Sequence, residues 1–147
     1  MRILAVGGGS GGHVTPVVAV IRELKAAQPD AEVRFWCDRK FAPQARSIMG
    51  HYDSRIPVTT IHAGKLRRYH TLPLWRQLLR PISIVLPNVR DLFFVAVGFV
   101  ESVVRLLLWR PDVVFTKGGF VCLPVGMAAR LLRVPLVIHD SDAHPGL

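Results

Sequence analysis

The sequence predicts an α/β fold, with a parallel β-sheet covered by helices on both faces. Short apolar runs alternate with segments of helical periodicity along the 147 residues, which is the pattern of consecutive βαβ units. Three of these runs lead directly into loops rich in glycine or polar residues. Half of the residues are hydrophobic and 20% are charged, a composition sufficient for the core of one domain.

The first strand is predicted at residues 2–6, where a short, mostly apolar run precedes a glycine-rich loop. After that loop, Thr15 suits the N-cap of a helix and Pro16 its first position, so we expect a helix over residues 16–27. The same alternation gives strands at 32–37, 55–61, 111–115 and 135–138, and helices at 41–49, 72–82, 87–109 and 124–132. The last strand is apolar enough to be buried.

The loop after the first strand has five glycines in the six positions 7–12, and its bare amides can surround an anion. Gly7-x-Gly9-x-x-Gly12 also matches the dinucleotide fingerprint, with Asp38 at the end of the second strand available to a ribose. A helix that begins only at Pro16 leaves Gly12 outside it, which disfavours a dinucleotide. A purely structural turn is the third interpretation, although so many glycines lose much backbone entropy on folding.

His13 ends this loop, just before the predicted helix. The positive end of the helix dipole disfavours an imidazolium there. A neutral imidazole next to an anion pocket suits a general base that removes a proton from a hydroxyl. The alternative is a loop histidine that hydrogen-bonds backbone groups.

Two further loops, at residues 117–120 and 139–146, also follow the carboxyl ends of predicted strands. In an open parallel sheet these ends lie along one edge, where such folds bind ligands. We therefore expect the three loops to converge on one crevice.

The side chains of these two loops allow several roles. Lys117 either supports an anion or is simply solvated, and His139 suits a buried strand end. Asp140 and Asp142 could bind sugar hydroxyls, act as a base or cap a following helix. No cluster has the spacing of a zinc site.

The positive charge is concentrated in the middle of the chain. Residues 39–110 hold twelve Lys or Arg and three Asp or Glu, which accounts for the whole net charge of +9. Such a segment indicates an anionic partner, either nucleic acid or acidic lipid. Nucleic acid is disfavoured, because aliphatic side chains rather than stacking aromatics separate the basic residues.

Residues 72–82 predict a helix suited to a membrane surface. Its apolar face and the flanking arginines are formed by Trp75, Leu78, Leu79 and Ile82, with Arg76 and Arg80. The apolar side chains would enter lipid and the arginines would meet lipid phosphates, although the helix could instead pack on the sheet. In the longer helix at 87–109, proline and charged residues interrupt every window long enough to span a membrane, which disfavours a spanning helix. We expect that helix to be mainly core, with contact to the membrane surface as the alternative.

These motifs resemble the MurG family of GlcNAc transferases. The family's Gly-Gly-Thr-Gly-Gly-His-x-x-Pro loop corresponds to residues 8–16, and its Gly-Gly-Tyr/Phe turn with a later proline corresponds to 118–120 with Pro124. The family's His-Glu-x-Asn followed by glycine corresponds to residues 139–142 with Gly146. The resemblance covers nearly the whole chain.

The resemblance implies the N-terminal, Rossmann-like half of a GT-B glycosyltransferase. That half holds a polyprenyl-diphosphate sugar, and a C-terminal domain absent from this chain holds UDP-GlcNAc. GlcNAc passes with inversion to lipid I, giving lipid II for peptidoglycan, without a metal or other cofactor. The enzyme is peripheral to the cytoplasmic face of the cell membrane and contacts anionic lipid.

The resemblance also assigns site residues. His13 matches the family's proposed base, and Asp142 is the other candidate. Contact with the diphosphate or substrate falls to Gly9, Ser10, Gly11, Gly12, Gly118, Gly119, Phe120 and Asp140. Asp140 and Asp142 depart from the glutamate and asparagine usual in the family, and without a donor domain we expect the chain alone to transfer nothing.

Two other classes of function remain open from the sequence. One is a non-catalytic membrane adaptor, similar to the anchoring half of the split eukaryotic enzyme that adds the second GlcNAc to dolichol-diphosphate GlcNAc. The other, less favoured, is an NAD-binding dehydrogenase domain.

Overall fold

The computed structural model describes residues 1–8, 11–65 and 84–139, without the side chains of 11–13. The helix predicted at 72–82, with all six of its candidate membrane residues, lies outside this part of the chain. The described elements occur in the predicted order: β1 (Arg2–Val6), α1 (Gly11–Ala27), β2 (Glu32–Cys37), α2 (Ala42–Tyr52), β3 (Val58–Thr60), α3 (Leu86–Trp109), β4 (Val113–Thr116), α4 (Cys122–Leu131) and β5 (Leu136–Ile138).

The described strands form one parallel sheet in the order β3-β2-β1-β4-β5. β1 is central and pairs with β2 on one side and β4 on the other, with Ile3 opposite Val33 and Val113. The chain runs outward from β1 to β3 and then crosses back to add β4 on the other side of β1. The order of the sheet therefore reverses between β1 and β4, which is where open α/β sheets form their ligand crevice.

Side chains of β1 alternate between two cores. Ile3 and Ala5 are buried with residues of α1 and α2, whereas Leu4 and Val6 are buried with residues of α3 and α4. Both faces of the sheet are thus covered by helices, and the predicted fold class is confirmed.

The start of α1 differs from the prediction. The helix begins at Gly11, and Pro16 lies inside it without an N–H to give to the carbonyl of Gly12. The reason is burial: Val14 and Val17 are fully buried against the sheet, so the apolar period already begins before the proline. Thr15 is therefore not the N-cap.

The last described strand is more exposed than predicted. Val137 is 49% exposed and Ile138 is 69% exposed, because β5 forms the edge of the described sheet beyond β4. β3 is also shorter than predicted, although the carbonyl of Pro57 already accepts a hydrogen bond from the amide of Phe35.

The expectation that α3 is mainly core was wrong. The residues it buries form one narrow stripe: Asp91, Val95, Gly98, Ser102, Leu106 and Trp109. Much of its outer surface consists of exposed apolar side chains: Leu86, Val89, Leu92, Phe93, Val100, Val104, Leu107 and Leu108. Apolar groups face outward, while three of the six buried residues are polar or glycine.

Charged residues do not interrupt every membrane-length window of α3, contrary to our prediction. Its last 18 residues contain only Glu101 and Arg105 as charged groups. By length and composition alone, α3 is therefore apolar enough to cross a membrane.

The end of α3 is fixed to the sheet through Trp109. Its indole N–H donates a 2.9 Å hydrogen bond to Oε1 of Glu32, and the Arg34 guanidinium lies 4.4 Å from the ring centre. The hydrogen bond from Trp109 lowers the pKa of Glu32 despite some desolvation, and Arg34 acts in the same direction. α3 consequently has a defined rotation, with its apolar surface outward.

Adjacent leucines of α3 test this rotation. Leu106 is 1% exposed and Leu107 is 51% exposed, so Leu106→Ala is expected to lower the free energy of unfolding by about 2–5 kcal/mol. The matched change Leu107→Ala should cost less than about 1 kcal/mol. Urea unfolding measures both, and equal losses would contradict the orientation described here.

Candidate functional site

The loops after β1 and β4 leave the sheet side by side at its carboxyl edge. The amide of Gly7 donates to the carbonyl of Trp36, and the amide of Lys117 donates to the carbonyl of Val6, each at 3.1 Å. Gly118 and Gly119 then turn the chain with φ angles of 100° and 93°. These lie in the left-handed region that glycine adopts without strain.

The backbones of these two loops are in direct contact. A Cβ atom added to Gly119 would overlap the carbonyl of Gly8. A Cβ on Gly8 would lie 2.5 Å from Oδ2 of Asp38 and 3.1 Å from Cγ1 of Val121. Because glycine has no side chain, the ends of β1, β2 and β4 can approach one another closely at this point. The structure thus brings together the first two of the three predicted loops.

The N-terminus of α1 lies immediately after the first loop. Gly11, Gly12 and His13 form its first turn, so His13 lies within the helix rather than before it as predicted. The first turn of a helix leaves backbone N–H groups unpaired and carries the positive end of the helix dipole. Gly9 and Ser10, which precede this turn, lie outside the described residues.

The third loop begins beside β4. The amide of His139 donates a 2.8 Å hydrogen bond to the carbonyl of Thr116, and its ring lies edge-on to Phe115 at 6.5 Å. His139 itself is exposed, so its predicted burial was wrong. Asp140 and Asp142 lie outside the described part of the chain.

Lys117 is buried, which the sequence analysis did not anticipate. Only 5% of the residue is exposed, and it directly follows β4 at the start of the glycine turn. The signal available in the sequence was its position one residue beyond a buried strand. Its backbone is held to β1 through Val6, and the interpretation of Lys117 as a solvated side chain is wrong.

Cys122 supports the turn as a protonated thiol. Its Sγ donates to the carbonyl of Gly118 at 2.9 Å. Burial raises the pKa of Cys122 to about 12, against the smaller opposing effect of backbone hydrogen bonds with Gly118 and Lys117. The thiol therefore pins the turn and is not a thiolate nucleophile at neutral pH.

A cleft of about 610 Å³ opens next to the glycine turns. It lies between the ends of β2 and β3 and the first half of α3. Its described lining consists of Asp38, Arg39, Lys40, Phe41, Gln44, Ile61, His62, Ala63, Lys65, Arg90, Asp91, Phe94 and Phe120. Four of these residues are cationic and two are anionic, so the cleft favours anions.

The wall of the cleft after β3 is held by Glu101 of α3. Oε2 of Glu101 accepts from the amide of His62 at 3.1 Å, and Oε1 accepts from its Nδ1 at 2.8 Å. The His62 ring also stacks on Phe94, with ring centres 6.1 Å apart. Desolvation opposes ionisation of Glu101, but the hydrogen bonds from His62 prevail and lower its pKa.

In the described part of the chain, no group of three or more His, Cys, Asp or Glu side chains could hold a metal ion. What the described site offers is backbone amides, a helix N-terminus and cations. These are the groups that bind phosphate.

This architecture is that of the N-terminal domain of GT-B glycosyltransferases. Over residues 3–147 the chain matches the family described as glycosyltransferase family 28 N-terminal domain, and it belongs to that family. The predicted resemblance to MurG is confirmed.

Over the aligned region, the curated relatives are identical to the chain at about a third of the positions. The UDP-N-acetylglucosamine--N-acetylmuramyl-(pentapeptide) pyrophosphoryl-undecaprenol N-acetylglucosamine transferase 3 of Bacillus thuringiensis (strain Al Hakam) is 37% identical over 146 residues, 99% of this chain and 36% of that protein. The transferase of the same name, without a number, from Borrelia hermsii (strain HS1 / DAH) is 36% identical over 146 residues and has the same coverage. The chain therefore spans about a third of the length of these relatives.

Solved structures show the same fold. The crystal structure of Acinetobacter baumannii MurG matches with a TM-score of 0.70 at 23% identity, covering 99% of this chain and 37% of that one. The Streptomyces sp. SF2575 glycosyltransferase SsfS6 matches with a TM-score of 0.58 at 21% identity, covering 95% of this chain and 39% of that one.

Gly12 lies inside α1, contrary to our prediction. We expected the helix to begin at Pro16 and therefore disfavoured a dinucleotide, but α1 begins at Gly11, so the position of Gly12 does not exclude one. Family membership, rather than this glycine, identifies the domain as one of a glycosyltransferase. Oδ1 of Asp38 accepts a 3.0 Å hydrogen bond from the amide of Phe41 just before α2.

A methyl group at Gly119 tests the contact between the loops. Gly119→Ala is expected to lower the free energy of unfolding by at least about 2 kcal/mol, since alanine strains the left-handed backbone and its Cβ overlaps Gly8. The control is Gly50→Ala in α2, where a Cβ meets nothing within 4 Å, and which should stabilise the helix by up to about 1 kcal/mol. Thermal unfolding of both variants checks this, and a tolerated Gly119→Ala would refute the close approach.

Proposed function

We propose that this chain is the acceptor-binding domain of an inverting glycosyltransferase. The reaction moves GlcNAc from UDP-GlcNAc to a polyprenyl-diphosphate-linked sugar, converting lipid I to lipid II in peptidoglycan synthesis. Membership of family 28 and the names of the relatives support this reaction. The observation that carries it is the contact of the Gly8 and Gly119 backbones next to the N-terminus of α1.

The diphosphate of the acceptor binds at this contact in the proposed complex. Backbone amides of the two turns and of the first turn of α1 donate to phosphate oxygens, and Lys117 adds positive charge. The residues assigned to diphosphate and substrate are Gly9, Ser10, Gly11, Gly12, Gly118, Gly119, Phe120 and Asp140. The roles of Gly9, Ser10 and Asp140 rest on the sequence resemblance alone.

The chemical step is a displacement at the anomeric carbon of GlcNAc. A base removes the proton from the acceptor hydroxyl, and the oxygen attacks the anomeric carbon. The bond to the β-phosphate oxygen breaks on the opposite face, and UDP leaves with the electron pair. His13 is the proposed base, since its place in the first turn of α1 favours a neutral imidazole. Asp142 is the alternative.

We propose a two-domain organisation, in which a C-terminal domain binds UDP-GlcNAc opposite the carboxyl edge of this sheet. The relatives are about three times as long as the aligned region, which leaves room for such a domain. The acceptor oxygen and the donor sugar then meet in the cleft between the two domains. The 147-residue chain alone is expected to bind acceptor without transferring sugar.

We propose that the protein attaches peripherally to the cytoplasmic face of the cell membrane. The exposed apolar side chains of α3 support lipid contact, because large groups of exposed apolar side chains are rare on proteins that contact only water. The buried stripe of α3 holds the helix on the protein, which favours lying on the bilayer over crossing it. The cations concentrated in residues 39–110 favour anionic lipid. The helix predicted at 72–82, which lies outside the described residues, is proposed as a second lipid-binding segment.

The function is tested by GlcNAc transfer to lipid I with this domain joined to its donor-binding domain. His13→Ala is expected to reduce turnover by about 10²–10⁴-fold while the fold survives, because a general base contributes that much. The control is His51→Ala, an exposed histidine of α2, which should leave turnover unchanged. Release of labelled UDP and formation of lipid II are the two readouts.

Unchanged turnover in His13→Ala would remove His13 as the base. A severe loss in Asp142→Asn would then assign the role to Asp142, whereas a mild loss fits hydrogen bonding to sugar. No transfer by the unaltered two-domain protein would refute the proposed function and favour the adaptor.

Membrane attachment is tested with sedimentation of anionic vesicles. Val100→Ser combined with Leu107→Ser removes two exposed apolar side chains of α3 and should weaken binding about ten-fold or more. The matched control is Val137→Ser combined with Ile138→Ser. Both residues are exposed on β5, an edge strand of the described sheet, and their replacement should change vesicle binding little. Unchanged sedimentation of the α3 variant would contradict this assignment, and Trp75→Ser with Leu79→Ser tests the second segment separately.

A further inference from the structure

Asp91 of α3 has a buried carboxylate oxygen without a partner. The residue is 4% exposed, and within the described residues its Oδ2 makes no hydrogen bond. Its Oδ1 lies 3.6 Å from Nη2 of Arg90, too far for a close hydrogen bond. An unpaired buried carboxylate is costly and calls for a donor from outside the described chain.

Helix capping does not explain this carboxylate. Asp91 is the sixth residue of α3, beyond the first turn, and the start of the helix has no side-chain cap. The site is also rigid: a Cβ on Gly64 would overlap the backbone carbonyl of Asp91, so the loop after β3 lies directly on the helix. The position of Asp91 is therefore fixed by close backbone packing.

Asp91 lines the cleft, and the other lining residues indicate which kind of ligand the cleft can bind. Exposed cations stand at four positions, Arg39, Lys40, Lys65 and Arg90. Two aromatic rings accompany them, with Nζ of Lys65 lying 5.5 Å from the ring centre of Phe120 and the Arg90 guanidinium 5.9 Å from that of Phe94. A matching ligand carries anionic groups for the cations, an N–H or ammonium donor for Asp91, and flat groups for the rings.

A diphosphate alone does not match, because it offers no hydrogen-bond donor and a buried carboxylate repels it. A peptide with free carboxylates matches in all three respects, since its amide planes are flat and its N–H groups donate. The relatives are named for an acceptor that carries a pentapeptide. A peptide is therefore the ligand class that this lining fits.

We propose that this cleft binds the peptide of the lipid-linked acceptor and that Asp91 accepts a hydrogen bond from it. The inference rests on the proposed function. The cleft shares Asp38 with the packing around Gly8, and Phe120 follows Gly119. An acceptor whose diphosphate occupies the glycine turns therefore has its peptide within reach of the cleft.

The test is direct binding of two water-soluble acceptors to the chain. Both carry a short prenyl diphosphate and N-acetylmuramic acid, and only one carries the pentapeptide. Titration calorimetry is expected to show at least about ten-fold tighter binding of the peptide form. Asp91→Leu should remove most of that advantage, while binding of the peptide-free form stays within about two-fold.

The thermal stability of the same variant distinguishes a role of Asp91 in ligand binding from a role in folding. Leucine has a similar size and removes an unpaired buried polar atom, so the thermal stability of Asp91→Leu should equal or exceed that of the unaltered chain. Should the leucine variant not fold, Asp91→Asn gives the same comparison of the two acceptors. Lys65→Gln should also weaken the peptide form selectively, and the control Arg22→Gln, at an exposed cation of α1, should not.

Three results would overturn the proposal: equal affinity of the unaltered chain for both acceptors, equal weakening of both in Asp91→Leu, or no effect of that substitution on either. In each of these the diphosphate site still binds, so the proposed function stands. If the unaltered chain binds neither acceptor, the proposed acceptor site fails, and the inference fails with it.

Discussion

The contact between the backbones of Gly8 and Gly119 is the constraint on which the site depends. It requires β1 and β4 to be neighbours, and it requires both loops to lack side chains at this point. The N-terminus of α1, the buried Lys117 and the cleft beside Phe120 all take their positions from these two strand ends. A geometry set by backbone atoms is stiffer than one set by side chains, because side chains can change rotamer. Pre-organised amides of this kind suit an anionic ligand.

The sequence predicted what depends on local pattern. β1 and β2 were placed correctly, because apolar runs end at strong turn signals. The start of α1 was placed wrongly. Proline is common at the first position of a helix, which favoured a start at Pro16, but the burial of Val14 extends the helix back to Gly11. Hydropathy could not reveal which side of α3 faces the protein. The burial of Asp91 depends on the loop after β3, which is remote in sequence, so no local signal announces it.

α3 gives the protein two chemically different surfaces from one helix. The buried stripe of α3 contains Asp91, and Glu101, which precedes Ser102 of that stripe, binds the loop after β3. Leucine, valine and phenylalanine side chains of the same helix face outward. A lipid-linked acceptor has the same two characters, an apolar chain and a polar head. In the proposed complex the helix borders the bilayer with one face and the head-group site with the other. Exposed apolar and buried polar side chains on α3 reverse the usual arrangement for a protein in water, and the proposed entry of the substrate from a membrane accounts for that reversal.

The pairing of β1 with β4 also governs when the site can exist during synthesis. Ile3 pairs with Val113, so more than a hundred residues must be synthesised after β1 before its second neighbouring strand, β4, is available. Contacts of such separation form slowly, and they expose unpaired strand edges in the meantime. The two glycine turns meet only once β4 has docked. A nascent chain released before β4 would keep β1 and β2 but have neither a complete core nor an anion site, so folding and the capacity to bind arise in one event.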